Sequence, residues 1–246
     1  MTATPPTRTQ SERSDQTRAR ILDAAISQFS ANGLSGARTD QIAEAAGVNK
    51  ALLYYYFNGK AALYDAALEA VVQRVAASGL AAMETECSAG ERLVHFALNH
   101  FDRIHSQPGF QSLMQHEMIR LHRGEENALT SLVEKVFRPM MLRMLQVFAE
   151  GKSSGELVQV DEMQIMYAAL GANVFYFLSA PVVGLLMESN PFERSALEHR
   201  REAAIQYLGQ TIFIDRERGA RVAARVLAST PMPESSRSTT NYVRHL

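Results

Sequence analysis

The sequence predicts an all-α protein, in which a small N-terminal helix-turn-helix domain precedes a larger helical domain. Three observations predict this class. Apolar residues recur at helical spacing over most of residues 17–228. The longest strand-like pattern is the short segment 155–160. Finally, the segment 45–60, AAGVNKALLYYYFNGK, has the residues that two short helices need in order to meet at a tight turn.

That turn depends on two residues. Gly47 can adopt the positive φ of a sharp connection, and the Asn49 side chain can accept a hydrogen bond from the first free N–H groups of the next helix. At about 100° per residue, Leu52, Leu53 and Phe57 are expected to face a core. The outer face is expected to carry Lys50, Ala51, Tyr54 and Tyr55.

The outer face of this second helix is suited to a polyanion. Tyrosine hydroxyls and lysine ammonium groups donate hydrogen bonds to phosphates, and tyrosine rings can contact thymine methyl groups. No acidic residue lies between Ala45 and Lys60. The alternative is that Tyr54–Tyr56 are core aromatics of a helical bundle, but three adjacent positions cannot all face one core. The pattern therefore favours a DNA-recognition helix.

The elements around the turn can be predicted in order. Residues 1–16 are expected to form a disordered arm, since they lack large apolar side chains. A first helix is expected over 17–32 with its end at Asn32-Gly33, and Thr39 is expected to cap the second helix. A further helix should begin at Lys60 and reach about residue 77. The predicted domains are 17–60 for DNA binding and 61–228 for the helical body, followed by a disordered tail over 229–246.

Composition limits the function classes. The chain has 246 residues and a formal net charge of −1, which argues against a protein that coats nucleic acid throughout. Its single cysteine, Cys87, cannot form an intrachain disulfide, and it is interpreted as a small, at least half-buried residue. The N-terminal residues lack the apolar core of a secretory signal, so a cytoplasmic protein is expected.

The N-terminal quarter resembles a known family. From Thr17 to about Val75, which includes TRARILDAAISQFSANGLSGARTDQIAEAAGVNKALLYYYFNGKAALYDAAL, the sequence resembles the DNA-binding domain of the TetR/AcrR family of transcriptional repressors. The resemblance implies a homodimer that binds a palindromic DNA operator and a helical body that binds a small effector. The positions matching DNA-contacting residues are Thr39, Asn49, Lys50, Ala51, Tyr54, Tyr55 and Lys60.

In the body, helices are predicted over 91–106, 110–122 and 125–150, and Pro139 is expected to kink or divide the last of them. The segment 165–187 has no formal charge and is long enough to cross a bilayer. Its acidic flanks and the interruptions at Asn173, Ser179 and Pro181 favour a soluble helix that a partner subunit covers. With a further helix over 195–213, it is predicted to form a four-helix homodimer interface through 163–190 and 194–213.

The body is expected to bind a small, mostly apolar effector, because clustered methionines provide adaptable walls. The alternative is that these methionines and their polar neighbours are ordinary core residues. The candidate effector-binding residues are Met114, His116, Met118, Arg120, Met140, Met144, Asn173 and Tyr176.

No enzyme activity, metal site or cofactor is predicted. The histidine pairs at 95/100 and 116/122 do not share a helix face, and the sequence has no phosphate-binding glycine loop or nucleophile elbow. The competing functions are a small-molecule-binding or enzymatic helical protein with no specific operator, and a regulator attached to a membrane.

Overall fold

A computed structural model describes residues 10–234, and over that range it contains eleven α-helices and one short π-helix. The elements are α1 (Gln10–Gly36), α2 (Thr39–Ala45), α3 (Lys50–Tyr56), α4 (Lys60–Met83), α5 (Ala89–Ser106), α6 (Pro108–His122), α7 (Leu129–Leu132), a π-helix (Val133–Phe137), α8 (Arg138–Ser153), α9 (Glu162–Met187), α10 (Arg194–Ile212) and α11 (Arg216–Ser229). Extended pairing within the described range is limited to an isolated bridge between Leu157 and Phe213. The all-α prediction is confirmed.

The chain forms two compact units. The first holds the described residues up to Gln73 together with Ser112–Thr130. The second holds Arg74–Gln111 and the described residues from Ser131 onward. The helices α4 and α6 are each continuous across a boundary between the units. The predicted domain division at residue 60 stays a prediction.

The first helix is longer than predicted. It begins at Gln10, so the expectation of a disordered arm over 1–16 is wrong for residues 10–16, and residues 1–9 lie outside the described residues. The extra turns are polar, but the Ser14 hydroxyl lies 3.1 Å from the Tyr56 hydroxyl of α3. Just after these turns, the Arg18 guanidinium lies over the Phe57 ring at 5.4 Å. The predicted stop is confirmed by the positive φ of Gly33, 65°, which interrupts the helix.

The core of the first unit joins the helix-turn-helix to the following helix. The ring of Phe29 meets Tyr64 edge-on, with centroids 5.0 Å apart. The other fully buried side chains of this unit include Ile21, Ala25, Ile42, Leu53, Leu63, Ala67, Leu68 and Leu113. Because α3 contributes Leu53 to this core, its opposite face is held toward solvent.

The core of the second unit is built mainly from α5, α8, α10 and α11. Helices α10 and α11 approach each other most closely at two glycines, since a Cβ atom added to Gly219 would lie 2.0 Å from the Gly209 carbonyl oxygen. A buried ion pair joins α5 to α10, in which the Arg201 guanidinium donates to both oxygens of Asp102 at 2.8 and 2.9 Å. Any larger side chain at Gly209 or Gly219 would separate these helices.

The helix predicted over 125–150 is divided in the structure. A π-helix, Val133–Phe137, stands directly before Pro139 in the first turn of α8. Proline has no N–H to donate to the carbonyl four residues earlier, and its ring crowds that carbonyl. The wider π turn accommodates this, so the predicted disturbance at Pro139 is confirmed and takes the form of a change in helix type.

Helix α9 is apolar on more faces than its own unit covers. One side packs inward through Asn173, Phe177, Ala180 and Gly184. The exposed large apolar side chains of α9 include Tyr167, Phe175, Leu178, Val182, Leu185, Leu186 and Met187. By length and composition, α4 and α9 could each cross a membrane, but core helices of soluble proteins meet the same criterion.

The C-terminal end of the described chain follows α11, which ends at Ser229. Residues 231–234 have no regular secondary structure. Residues 235–246 of the predicted tail lie outside the described residues.

Candidate nucleic-acid interface

The connection between α2 and α3 forms as the sequence predicts. Gly47 adopts a φ of 64°, and the Val48 N–H donates to the Ala43 carbonyl at 3.0 Å. The Asn49 side-chain oxygen accepts a hydrogen bond from the Leu52 N–H at 2.7 Å, which caps α3. The direction of α3 is therefore fixed at its first turn by local hydrogen bonds.

The inner face of α3 is narrower than predicted. Leu53 and Phe57, one helical turn apart, are buried as expected. The expectation that Leu52 also faces the core is wrong, since its side chain is 36% exposed. A seven-residue helix buries one stripe only, and position 52 lies about 100° from that stripe.

The three tyrosines have different environments. Tyr55 is 82% exposed and Tyr54 is 42% exposed, so neither is a core aromatic. Tyr56 is half-buried, and its ring packs edge-on against Tyr55 with centroids 5.5 Å apart. With exposed Lys50 and Ala51, Tyr54 and Tyr55 form an outer surface on α3, which we call the α3 face.

Thr39 supports the α3 face from α2. It was predicted to cap α2, but the N-cap residue is Arg38 and Thr39 is already helical, so that prediction is wrong. Its side chain is only 8% exposed, and its hydroxyl lies 3.3 Å from the Tyr54 hydroxyl. Because a buried threonine hydroxyl gains from a hydrogen-bond partner, Thr39 holds the Tyr54 ring in place. Its own contact with DNA stays a prediction.

Lys50 has an acidic partner that its neighbours in sequence did not reveal. Its ammonium group lies 2.8 Å from the Asp40 carboxylate of α2. The hydrogen bond from Lys50 holds the pKa of Asp40 below its usual value, and the same bond raises the pKa of Lys50. Both side chains are solvent-exposed, so this pair contributes little stability and Lys50 can exchange Asp40 for a phosphate.

Lys60 lies at the first turn of α4. Its ammonium group donates a hydrogen bond to the Ser35 carbonyl at 3.0 Å. Gly59, immediately before it, has a φ of 100°, a conformation that favours glycine. The N-terminal end of α4 is also the positive end of its helix dipole, where a phosphate is stabilised.

The eight predicted effector-binding residues do not form one cluster within either unit. In the first unit, Met118 is exposed, and the buried His116 Nδ1 lacks a hydrogen-bond partner beside Gly33. Arg120 bonds to the fully buried Glu117 at 2.7 Å and lies over the ring of Tyr64, whose pKa is raised mainly by burial. These contacts are typical of core residues. Met114, also in this unit, is half-buried.

The other four predicted residues lie in the second unit. Met144 is buried in the core and Met140 packs against it. The Tyr176 hydroxyl donates to the Pro191 carbonyl at 2.6 Å, and Arg200 lies over the Tyr176 ring at 5.6 Å. Asn173 is buried, and its side-chain nitrogen lies 3.5 Å from His100. Effector binding by these residues stays a prediction.

The second unit also contains a cavity that the sequence did not indicate. It has a volume of about 650 Å³ and lies among α5, α9 and α10. Of the eight predicted residues, Asn173 alone lines it. Asn173 and Arg200 both line it, and each has one buried side-chain atom, Asn173 Oδ1 and Arg200 Nε, without a hydrogen-bond partner. The rest of the lining is largely apolar, and includes Ala97, Ile165, Ala169, Ala204, Ile205 and Leu208.

Two family models match most of the chain. Residues 21–67 match the model described as bacterial regulatory proteins, tetR family. Residues 90–208 match the model described as tetracyclin repressor-like, C-terminal domain.

Three curated proteins are similar over about a fifth of the chain. HTH-type transcriptional repressor SCO4008 of Streptomyces coelicolor is 44% identical over 55 residues, which are 22% of this chain and 29% of that protein. HTH-type transcriptional regulator SrpR of Pseudomonas putida is 48% identical over 54 residues, 22% of this chain and 25% of that protein. RutR of Escherichia coli K12 is 52% identical over 52 residues, 21% and 24% respectively. The similarity spans less than a third of each relative.

Solved structures are similar over much more of the chain. A TetR/AcrR-family regulator from Thermobifida fusca aligns with a TM-score of 0.58 at 22% identity, covering 78% of this chain and 95% of that one. The fatty acid degradation regulator FadR of Bacillus halodurans aligns with a TM-score of 0.57 at 20% identity, covering 82% and 96%. At such identities the likeness shows a shared fold.

Proposed function

This chain belongs to the tetR family of bacterial regulatory proteins, and we propose that it is a cytoplasmic, homodimeric repressor that binds a palindromic DNA operator and releases it when a small molecule binds. The observation that carries the DNA-binding part is the α3 face. It presents Lys50, Ala51, Tyr54 and Tyr55 on a helix that Asn49 caps and Leu53 anchors. Such a helix can enter the major groove, where side chains reach base edges.

The side chains of the α3 face and its neighbours are expected to contact different parts of the DNA. Tyr55, the most exposed, offers a ring edge to a thymine methyl group and a hydroxyl to a base or phosphate. The methyl group of Ala51 allows close approach and an apolar contact. Lys50, Asn49, Tyr54 and Lys60 donate to phosphates, which fixes the position of the helix on the duplex.

The test uses a duplex selected by the unchanged protein from a pool of randomised DNA. Tyr55→Ala should weaken binding to the selected duplex by about 1–3 kcal/mol if the ring contacts a base. Tyr55→Phe keeps the ring and removes the hydroxyl, so it distinguishes the contributions of the two groups to DNA binding. Lys50→Ala should weaken binding and lower its salt dependence, whereas Arg123→Ala, which removes an exposed cation outside the helix-turn-helix, should change neither.

Two results would refute the proposal for DNA. One is that no duplex is enriched over random sequence. The other is that Tyr55→Ala and Lys50→Ala bind the selected duplex as tightly as the unchanged protein. The first result would favour the second candidate, a helical small-molecule-binding protein with no specific operator, for which the cavity of the second unit is the supporting observation.

The homodimer is proposed to form through 163–190 and 194–213. Its support is the row of exposed apolar side chains on α9, together with exposed Tyr207 on α10. An apolar patch of this kind marks an interaction surface on a folded protein. A two-fold axis would pair α9 and α10 with their copies, so that each subunit covers what the other leaves exposed.

The effector is proposed to be mostly apolar with a hydrogen-bonding or anionic group. The cavity supports this, because alanine, isoleucine and leucine line it together with Asn173 and Arg200, each of which has a buried side-chain atom without a hydrogen-bond partner. Release requires an effector that stabilises a separation of the two α3 helices other than the one the operator needs. Helices α4 and α6 are each continuous from one unit into the other, and we propose that α4 transmits this coupling.

A further inference from the structure

Three metal-binding side chains meet at the start of α5. They are Cys87, Glu91 and His95, which follow one another at intervals of four residues. The cysteine Sγ, a carboxylate oxygen and an imidazole nitrogen all lie within 4.8 Å of one another. All three residues are half-buried, so the group is reachable from solvent but partly shielded. Cys87 is the sole cysteine of the chain.

The local backbone brings Cys87 into line with the helix. Ser88 caps α5, and its hydroxyl accepts a hydrogen bond from the Glu91 N–H at 3.3 Å. The Cys87 N–H donates to the Thr85 carbonyl at 2.9 Å in the turn before the helix. Glu91 and His95 are one turn apart on the same face of α5. The cysteine therefore lies one turn before Glu91 on that face.

We propose that Cys87, Glu91 and His95 form a Zn²⁺ site, with a water molecule as the fourth ligand. Thiolate, carboxylate and imidazole are the three protein donors that Zn²⁺ uses, and this mixed set excludes the oxygen-preferring Mg²⁺ and Ca²⁺. Zinc bonds of about 2.0–2.3 Å in a tetrahedron place donors about 3.3–3.8 Å apart. The ligand atoms of the three side chains already lie within 4.8 Å of one another, and zinc binding would draw them closer.

In the structure, the Glu91 carboxylate already has an ion-pair partner on another helix. Arg225 of α11 donates two hydrogen bonds to the Glu91 carboxylate, at 3.1 and 2.6 Å. A bound Zn²⁺ would take a Glu91 oxygen, displace the guanidinium, and release the proton of the Cys87 thiol. The ion and Arg225 therefore compete for one carboxylate. Zinc binding would exchange an ion pair between α5 and α11 for metal ligation by Glu91 and His95 of α5 and by Cys87 just before it.

The experiment is a titration of the full-length protein with Zn²⁺ against a chromophoric chelator, without DNA. One ion per chain is expected. Cys87→Ser and His95→Gln should each lower the affinity at least tenfold, whereas His122→Gln, which changes an exposed histidine outside the cluster, should not. Arg225→Gln should raise the affinity, because it removes the competitor for Glu91. A purely structural role for Arg225 would not produce that increase.

Two further readouts identify the ligands. Co²⁺ in place of Zn²⁺ should show the thiolate-to-metal charge-transfer absorption, which Cys87→Ser abolishes. Zn²⁺ should slow alkylation by iodoacetamide, and with one cysteine in the chain that rate reports on Cys87 alone. The proposal is overturned if Cys87→Ser and His95→Gln bind Zn²⁺ like the unchanged protein, if Co²⁺ shows no thiolate band, or if no ion binds. None of these outcomes bears on DNA binding.

Discussion

The exposed surface of α9 gives a direct test of the proposed homodimer. Phe175 lies near the middle of α9, and its side chain is 67% exposed in the single chain. A fully buried aromatic side chain removes about 150–250 Å² from water, so covering the exposed two-thirds removes about 100–170 Å². At about 25 cal/mol per Å², that burial contributes about 3 kcal/mol for each copy of Phe175.

The two-fold symmetry doubles this effect. Each contact of Phe175 occurs once in each subunit, so Phe175→Asp should weaken the dimer by about 6 kcal/mol, or about 10⁴-fold in the dissociation constant, at about 1.4 kcal/mol per factor of ten. The cost of burying two unpaired carboxylates adds to this. At micromolar concentration the variant should therefore be monomeric or aggregated.

Sedimentation velocity and light scattering over a range of protein concentrations measure this effect. The matched control is Leu142→Asp on α8, which places the same charge at a side chain that is 60% exposed in the same unit. Circular dichroism checks that both variants keep their helices. If Phe175→Asp sediments as the same dimer as the unchanged protein, or if Leu142→Asp alone dissociates it, the interface does not include this part of α9.

Two further predictions concern charged groups. Asp40→Asn should leave DNA binding unchanged or tighten it severalfold at low salt, since it removes the carboxylate that competes with phosphate for Lys50. Fluorescence anisotropy measures this affinity. A loss as large as that of Lys50→Ala would show instead that Asp40 positions the lysine. Burial lowers the pKa of His100 to about 4, so the free energy of unfolding should fall as the pH drops from about 6.5 toward 4. At pH 5 the loss is about 2 kcal/mol. Urea unfolding of His100→Gln should show a smaller decrease between pH 7 and pH 5, and an equal decrease would contradict this role.

The parts of the helix-turn-helix that could be predicted are those fixed by neighbouring residues. The Asn49 cap and the positive φ of Gly47 depend on hydrogen bonds and sterics within a few residues, and both were predicted. The polar turns over 10–16 were missed, because the partner of Ser14 in these turns, Tyr56, lies 42 residues away in sequence. Helical turns that are held only by such distant polar contacts show no apolar periodicity in their own sequence.

Helical periodicity also has a limit within the helix-turn-helix. It identifies the buried stripe through Leu53 and Phe57, but it does not give the width of that stripe, and Leu52 was therefore placed wrongly. The Asp40 partner of Lys50 lies on the preceding helix, ten residues earlier. Charge counting along the recognition helix alone could not find it, because the pair depends on how α2 and α3 cross.

The proposed zinc ligands Cys87, Glu91 and His95 are not a pair of histidines, so the spacing of histidines alone does not reveal them. The histidine pairs 95/100 and 116/122 have no chelating geometry, since intervals of five and six place side chains on different faces of a helix. Cys87, Glu91 and His95 have the interval of four that places side chains on one face. This interval predicts that Glu91 and His95 share a face of α5. It does not predict the position of Cys87, because Cys87 precedes the N-cap residue Ser88 and is not part of the helix.

The cavity is lined by small side chains, not by the methionines that were expected to form an effector pocket. Large flexible side chains such as Met140 and Met144 fill space, and in the structure they pack against or within the core. Small side chains leave space, and the cavity lies where Ala168, Ala169 and Ala172 of α9 face Ala204 of α10. A better sequence indicator of such a cavity is therefore a stripe of alanines at helical spacing beside a buried polar residue such as Asn173. That indicator still requires two helices to face each other, which no property of either helix determines alone.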